Sequence, residues 1–85
     1  MPEISRFLGI VIQMYYSEHG PSHFHARYEK YRITVEIETG VVKGEFPRRA
    51  LTAVMDWYVE HVDELRDNWI RARGDQPLVR IQPLE

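Results

Sequence analysis

The stretch HFHARYEKYRITVE, residues 23–36, decides the fold, because it divides into two runs of strand-forming residues around a short turn. Side chains of a strand alternate between its two faces, so every second residue of each run shares a face. In the first run one face is apolar and suited to packing, whereas the other is suited to binding or chemistry. The apolar face carries Phe24, Ala26 and Tyr28, and the polar face carries His23, His25 and Arg27.

Side-chain polarity also selects the register of this hairpin. A two-residue turn at Glu29-Lys30 sets polar residues opposite polar residues, whereas a shift by one residue would set His25 against Val35. Glu29-Lys30 is an unusual sequence for so tight a turn, so a longer loop of the same parity stays open. The predicted pairs are Tyr28–Tyr31, Ala26–Ile33 and Phe24–Val35 on the apolar face, and Arg27–Arg32, His25–Thr34 and His23–Glu36 on the polar face.

Two further strands flank the hairpin in the prediction. Residues 7–16 alternate as a single strand, in which Gly9 indicates a bulge or the close approach of another segment. Residues 39–40, Thr-Gly, predict a tight turn into a fourth strand over residues 41–46. This turn places Lys43 beside Glu36 and Glu45 beside Thr34.

The C-terminal half predicts one long amphipathic helix, because apolar residues recur there at three- and four-residue steps. Pro47 suits the first turn of the helix, where its missing N–H is not needed, and Gly74 suits the position just past the end. Residues 78–84 alternate as a short terminal strand or an extended tail. We therefore predict a single α+β domain over residues 1–85, an antiparallel meander of about four strands packed on one long helix. The apolar stripe consists of Leu51, Val54, Met55, Tyr58, Val62, Leu65 and Trp69.

The composition restricts the classes of function. The chain has 85 residues, no cysteine and a formal net charge of −2. Disulfide frameworks and thiolate metal sites are therefore excluded, and nucleic-acid binding would need a local basic patch. No apolar run reaches the ~20 residues of a membrane-spanning helix, and residues 1–6 lack the apolar core of a signal peptide. We expect a cytoplasmic protein whose small core would gain stability from a partner chain or from assembly into a homo-oligomer.

The polar face supports three interpretations. The first is purely structural, and the second is metal binding. In the first, the face is a solvated surface on which His23 forms a salt bridge with Glu36. In the second, His23 and His25 ligate a metal ion, with His19 or Glu36 as a third ligand. The sequence shows no carboxylate that would obviously orient these histidines, and no cofactor is assigned.

In the third interpretation the face binds RNA or another phosphate-containing anion. Arg27 and Arg32 lie opposite each other and repel unless an anion bridges them. His23 and His25 beside them could act as the acid–base pair of metal-independent RNA cleavage, with Arg27 holding the phosphate. The alternative is a non-catalytic module that docks a protein or a nucleic acid on the same face. The binding residues are Arg32, Tyr28, Tyr16, Glu36 and His19, with the tyrosines as surfaces on which bases stack.

Several motifs resemble the bacterial family catalogued as domain of unknown function 4160. They are PEISRF at residues 2–7, MYY at 14–16, PSHFHARY at 21–28 and PRRAL at 47–51. The resemblance implies a small cytoplasmic protein that is frequently encoded beside a protein of the domain of unknown function 2442 family. It further implies a type II toxin–antitoxin pair, with this chain as the toxin and its neighbour as the antitoxin that binds it. Family members often have glycine where this chain has Glu29, so we expect the hairpin turn to differ.

Overall fold

The computed structural model describes residues 2–85; Met1, part of the N-terminal stretch considered above, lies outside the described residues. Five strands form one antiparallel sheet in the order β1-β2-β3-β4-β5, and two helices follow. The fold is therefore α+β, as predicted, with one strand and one helix more than expected. The elements are β1 (Glu3–Phe7), β2 (Ile10–Gln13), β3 (His23–Tyr28), β4 (Tyr31–Glu36), β5 (Val42–Glu45), α1 (Arg48–Glu60) and α2 (Val62–Arg73).

The additional strand arises because residues 7–16 do not form one strand. Leu8 and Gly9 both have positive φ angles, 53° and 78°, as in the tight type I′ turn that connects antiparallel strands. Phe7 then pairs with Ile10 directly across this turn. The prediction of a single strand is wrong, and Gly9 is a turn residue rather than a bulge. The other predicted alternative, close approach of another segment, is confirmed, because a Cβ atom at Gly9 would lie 3.4 Å from the Tyr28 ring.

The predicted register of the central hairpin is confirmed. All six predicted pairs form, from His23 with Glu36 to Tyr28 with Tyr31. Glu29 has a φ of 52° and occupies the left-handed region within the two-residue turn, at a cost of about 1–2 kcal/mol for a residue other than glycine. The hairpin therefore keeps its register although its turn sequence is unfavourable, because a slip would exchange the apolar and polar faces.

The register between β4 and β5 differs from the prediction by two residues. The backbone N–H of Gly40 donates to the carbonyl of Glu36 at 2.8 Å, so residues 37–41 make a wider loop than a two-residue turn. A shift of two residues leaves every side chain on its predicted face. The observed pairs are Thr34–Lys43 and Arg32–Glu45, in place of the predicted Glu36–Lys43 and Thr34–Glu45.

The predicted long helix is divided into α1 and α2 at His61. This residue has a φ of −126° and a ψ of 23°, outside the helical region, and its Nδ1 pairs with the carboxylate of Glu64 in the first turn of α2. Gly74 follows the end of α2, as predicted. Both helices still pack on the same core, to which they contribute Ala50, Ala53, Val54, Trp57, Leu65, Trp69 and Ala72.

The core lies between the apolar face of the sheet and the two helices. Phe24 and Val35 of the central hairpin are fully buried in it, whereas the polar face of the same hairpin lies on the other side of the sheet. The fold thus displays the polar face to its surroundings.

Within residues 2–85, neither helix is both long enough and apolar enough to cross a membrane.

An extended tail, residues 75–85, runs beside β1 without forming a regular strand. The backbone N–H of Ile81 donates to the carbonyl of Ile4 at 2.8 Å, and the Ile81 side chain is only 3% exposed. The side-chain amide of Asn68 in α2 bonds both the N–H and the carbonyl of Val79, at 2.9 and 2.8 Å. Of the two predicted alternatives, a strand or an extended tail, the structure shows the tail.

Glu3 couples β1 to this tail and makes part of the stability dependent on pH. Its carboxylate lies 2.8 Å from Arg6 and 3.2 Å from Arg80, and the hydrogen bond from Arg6, supported by Arg80, lowers the pKa of Glu3 from 4.5 to about 2. A lowered pKa stabilises the folded state above pH 4.5, and this stabilisation is lost as the pH falls toward 2. Because both arginines are largely exposed, we expect the effect to stay below about 1 kcal/mol.

We therefore predict that Glu3→Gln flattens the loss of stability in acid. The free energy of unfolding, measured with urea at several pH values between 4.5 and 2, should fall less steeply in the variant than in the parent chain. Glu85→Gln, at the exposed end of the tail, is the control and should leave the slope unchanged. Equal slopes for Glu3→Gln and the parent would contradict the assignment.

Candidate functional site

The polar face is built from the outward side chains of the central hairpin and its neighbour β2. His25 lies beside Gln13 on β2 and opposite Thr34 on β4. Arg27, two residues further along β3, lies opposite Arg32. The register that the apolar residues impose therefore places two histidines and two arginines on one surface.

Glu18, in the loop between β2 and β3, contacts both histidines of this face. Its Oε1 atom lies 3.0 Å from Nε2 of His23 and 2.7 Å from Nε2 of His25. The three side chains are partly buried, with exposed fractions of 30% for Glu18, 16% for His23 and 24% for His25. We call these three residues the Glu18 cluster; each offers one metal-ligating atom, and the three atoms lie within 4.8 Å of one another.

Neighbouring groups hold both imidazole rings in place. Nδ1 of His23 donates to the carbonyl of Pro21 at 2.8 Å, and the His23 ring lies 5.2 Å from the ring of Trp69 in α2. The ring of His25 meets Tyr15 edge-on at a centroid distance of 4.5 Å. These contacts restrict rotation of the rings, so the two Nε2 atoms keep pointing toward Glu18.

The two arginines of the polar face form no ion pair among the described residues, although Glu45 of β5 lies directly opposite Arg32. The Nε atom of Arg27 is also withdrawn from solvent and has no hydrogen-bond partner among residues 2–85. A buried donor without a partner costs about 1–3 kcal/mol. An anion placed between the two guanidinium groups would relieve their repulsion.

His19 and Glu36 lie beside the Glu18 cluster but do not belong to it. Together with His23 they line a pocket of about 170 Å³. The carboxylate of Glu36 accepts a hydrogen bond from Thr39 at 3.0 Å, whereas the carboxylate that contacts His23 is that of Glu18. The predicted His23–Glu36 salt bridge is therefore wrong, because the preceding loop brings a closer acid to the ring.

The two tyrosines assigned to binding lie away from the polar face. Tyr28 occupies the apolar face, where it contacts Phe46 at a centroid distance of 6.1 Å and lines a separate apolar cavity of about 230 Å³. Tyr16 donates its hydroxyl to the carbonyl of Gln76 at 3.1 Å, beyond the end of α2. Tyr15, through its contact with His25, is the tyrosine that reaches the polar face.

Glu18 is the central residue that the sequence analysis missed. The alternation rule assigns faces only to strand residues, so it says nothing about a side chain in a loop. A usable signal was nevertheless present: residues 14–22 must return the chain from the end of β2 to the adjacent start of β3. An acid in the middle of so short a connection lies near the first residues of β3.

A comparison with protein families identifies a relationship without assigning an activity. The family model described as "Domain of unknown function (DUF4160)" matches residues 9–70. The matched range runs from the turn before β2 into α2 and includes the Glu18 cluster and both arginines of the polar face. Searches of the curated proteins and of the solved structures return no match.

Proposed function

We propose that this chain, which belongs to the DUF4160 family, is the toxin of a type II toxin–antitoxin pair and acts on RNA through its polar face. The gene arrangement implied by the family resemblance supports the first part of the proposal. The second part rests on the arginine pair. The partner would be an antitoxin of the domain of unknown function 2442 type, and the location would be the cytoplasm.

The observation that carries the RNA proposal is the pair formed by Arg27 and Arg32. Like charges directly opposite each other on neighbouring strands are destabilising, and neither arginine forms an ion pair among the described residues, although Glu45 lies opposite Arg32 on the other side. A guanidinium group presents its donors in a planar fork that matches two phosphate oxygens. A phosphate of the RNA backbone therefore satisfies both side chains at once.

The surroundings of the arginines favour RNA over a small phosphate. Tyr15 and the histidine rings lie on the same surface, and unpaired bases bind proteins by stacking on such rings. The net charge of −2 excludes a general attraction to nucleic acid. Binding therefore depends on this local group of residues and should be abolished by changing it.

An antitoxin would neutralise the toxin by covering the polar face. The arginines favour acidic side chains on the surface that binds there. The antitoxin and RNA would then compete for the same residues. Substitutions on the polar face should weaken both interactions, whereas an antitoxin bound to the helices would leave RNA binding intact.

Replacement of both arginines, Arg27→Gln with Arg32→Gln, is predicted to weaken binding of single-stranded RNA at least about tenfold and to lower the slope of log affinity against log salt by about one, because the two side chains share one phosphate. The slope falls because each lost phosphate contact releases about one counterion fewer. Fluorescence anisotropy with a labelled oligonucleotide at several salt concentrations measures both quantities. Arg73→Gln, on the exposed last turn of α2, is the matched control and should bind like the parent chain. Equal weakening in the control and the double variant would contradict a localised site.

Growth of a bacterial host on induction of the chain tests the toxin assignment. We expect arrest by the chain alone, relief by co-expression of the antitoxin, and loss of toxicity in the double arginine variant with the protein still soluble.

A variant with both His23→Ala and His25→Ala distinguishes RNA cleavage from non-catalytic binding. A toxin that cleaves RNA should lose toxicity and keep RNA affinity, whereas a non-catalytic binding module should lose affinity. Absence of arrest by the parent chain would overturn the proposal.

A further inference from the structure

When its ring is neutral, His23 sets two hydrogen-bond acceptors against each other within the Glu18 cluster. Nδ1 of His23 is engaged as a donor to the carbonyl of Pro21, so Nε2 of a neutral His23 ring carries a lone pair. That lone pair faces Oε1 of Glu18 at 3.0 Å, which is an unfavourable approach of two acceptors. The approach becomes favourable only if a second proton or another cation lies at Nε2.

The same oxygen also contacts the second ring of the cluster. Oε1 of Glu18 lies 2.7 Å from Nε2 of His25, and the ring centroids of His23 and His25 are 5.1 Å apart. Two imidazole nitrogens therefore converge on one carboxylate oxygen, and a single divalent cation can accept all three as ligands.

We infer that Glu18, His23 and His25 form a binding site for one Zn²⁺ ion. Zinc accepts this class of donors, imidazole nitrogen and carboxylate oxygen, in sites that bind it through three protein ligands. One ligand atom from each of the three residues already lies within 4.8 Å of the others, and both Nε2 atoms face Oε1 of Glu18. No cysteine is needed, and magnesium, which prefers oxygen ligands, is disfavoured by two nitrogens.

The distances agree with this assignment after a small movement. Tetrahedral zinc with bonds of about 2.0–2.1 Å separates its ligand atoms by about 3.3 Å. The two nitrogen–oxygen distances of 3.0 and 2.7 Å must therefore lengthen by about 0.3–0.6 Å. Glu18 lies in a loop and is 30% exposed, so its carboxylate can move by this amount without disturbing β3.

The structure also supplies the outer contacts that a zinc site needs. A metal-bound histidine characteristically donates its second ring N–H to a carbonyl or carboxylate, which fixes the tautomer and the orientation of the ring. The contact from His23 to the carbonyl of Pro21 is of this kind. Trp69 and Tyr15 flank the two rings and restrict their rotation. The site is therefore held in place before the ion binds.

Three protein ligands leave a fourth zinc position open, and the partial exposure of the cluster makes it accessible to solvent. The open position would accept water or the oxygen of a phosphate. Arg27 follows His25 by two residues on the same face of β3. A zinc-bound Nε2 has no proton to transfer, so in this arrangement His23 and His25 are ligands and not an acid–base pair.

Zinc titration of the untagged chain, stripped with a chelator, tests the site. We expect one equivalent to bind with a Kd on the order of 1 μM or tighter and to raise the melting temperature, because the ion binds only the folded chain. Glu18→Gln keeps the size of the side chain but removes its charge, and His25→Gln removes a ligand. Each should weaken binding at least about 100-fold. Co²⁺ is a second probe, because its visible spectrum reports nitrogen ligation and coordination geometry.

His61→Gln is the matched control, because His61 also pairs with a carboxylate, Glu64, but has no second histidine beside it. This variant should bind zinc like the parent chain. Binding of equal strength in the Glu18→Gln, His25→Gln and parent chains would show adventitious surface binding and overturn the inference, as would a Kd no tighter than that for Mg²⁺. The titration involves neither RNA nor cells, so its outcome is independent of the proposed function.

Discussion

Replacement of Trp57 by alanine is expected to remove a large share of the chain's free energy of unfolding. Trp57 is fully buried, and its ring packs on Phe7 and Phe24 at centroid distances of 5.6 and 5.7 Å. Its indole N–H also donates to the carbonyl of Gln82 at 2.8 Å, which joins α1 to the tail. Removal of a buried tryptophan costs about 3–5 kcal/mol, whereas a chain of this length has a total stability of roughly 4–13 kcal/mol.

Urea unfolding followed by circular dichroism measures this loss, and two further variants divide it. Trp57→Phe keeps an aromatic ring but leaves the carbonyl of Gln82 without its donor, so it should cost about 1–2 kcal/mol. Val59→Ala, at a 71% exposed position of the same helix, should change stability by less than about 0.5 kcal/mol. A Trp57→Ala chain as stable as Val59→Ala would show that the core does not depend on this residue.

Introduction of a charge at Ile81 is expected to detach the tail and destabilise the whole domain. Ile81 is 3% exposed and packs into the core, and its carbonyl accepts a hydrogen bond from the buried hydroxyl of Ser5 at 3.0 Å. An aspartate at this position cannot keep its charge without a partner. In the Ile81→Asp chain the side chain should therefore leave the core, and the backbone of residue 81 should lose its hydrogen bonds with Ser5 and Ile4. We expect a loss of about 3–4 kcal/mol and faster proteolysis after residue 74.

Val79→Asp is the matched control for this variant. Val79 lies in the same segment, but its side chain is 52% exposed and its contacts with Asn68 are made by its backbone. The control should unfold within about 0.5 kcal/mol of the parent chain. If Ile81→Asp frees the tail to proteases while the urea midpoint stays unchanged, the tail is an appendage and not part of the core.

The centre of the sheet was predictable because two requirements agreed there. The alternation of residues 23–36 assigned both faces, and only registers that differ by an even number of residues keep those faces consistent. The same argument could not select among such registers between β4 and β5. There the predicted two-residue turn at Thr39-Gly40 gave a register that is wrong by two residues. The hydrogen bond from Gly40 to Glu36 belongs to a wider loop.

Two breaks in the chain were not predicted, the first despite Gly9 in its turn and the second without any glycine or proline. Leu8 adopts a positive φ within the β1–β2 turn, a conformation for which asparagine or glycine is the usual indication. His61 interrupts the helix without proline or glycine, and the apolar stripe continues across it because α1 and α2 pack on the same core.

Periodicity located the core face of the helices only in part. Val54, Leu65 and Trp69 are buried as predicted, whereas Leu51, Met55, Tyr58 and Val62 are only partly buried and the fully buried Trp57 was missed. Periodicity also does not record where the backbone bends.

The candidate site was predictable only where strand geometry determined it. His23, His25, Arg27 and Arg32 share a face because they alternate along paired strands. Their carboxylate partner comes from a loop, and only the folded path of residues 14–22 places Glu18 between the two rings. The partner expected instead, Glu36, lies opposite His23 on the next strand but bonds Thr39.

The position of the tail has a consequence for the order in which the domain can form during synthesis. The contact between Ser5 and Ile81 joins residues 76 positions apart, and a ribosome makes residues 78–82 after every strand and both helices. Until those residues emerge, one edge of β1 is open and the indole of Trp57 lacks its acceptor. A nascent chain in this state has an unpaired strand edge that can associate with other chains. Contacts between such distant residues also slow folding, so we expect this small domain to complete its core only after residue 81 has left the ribosome.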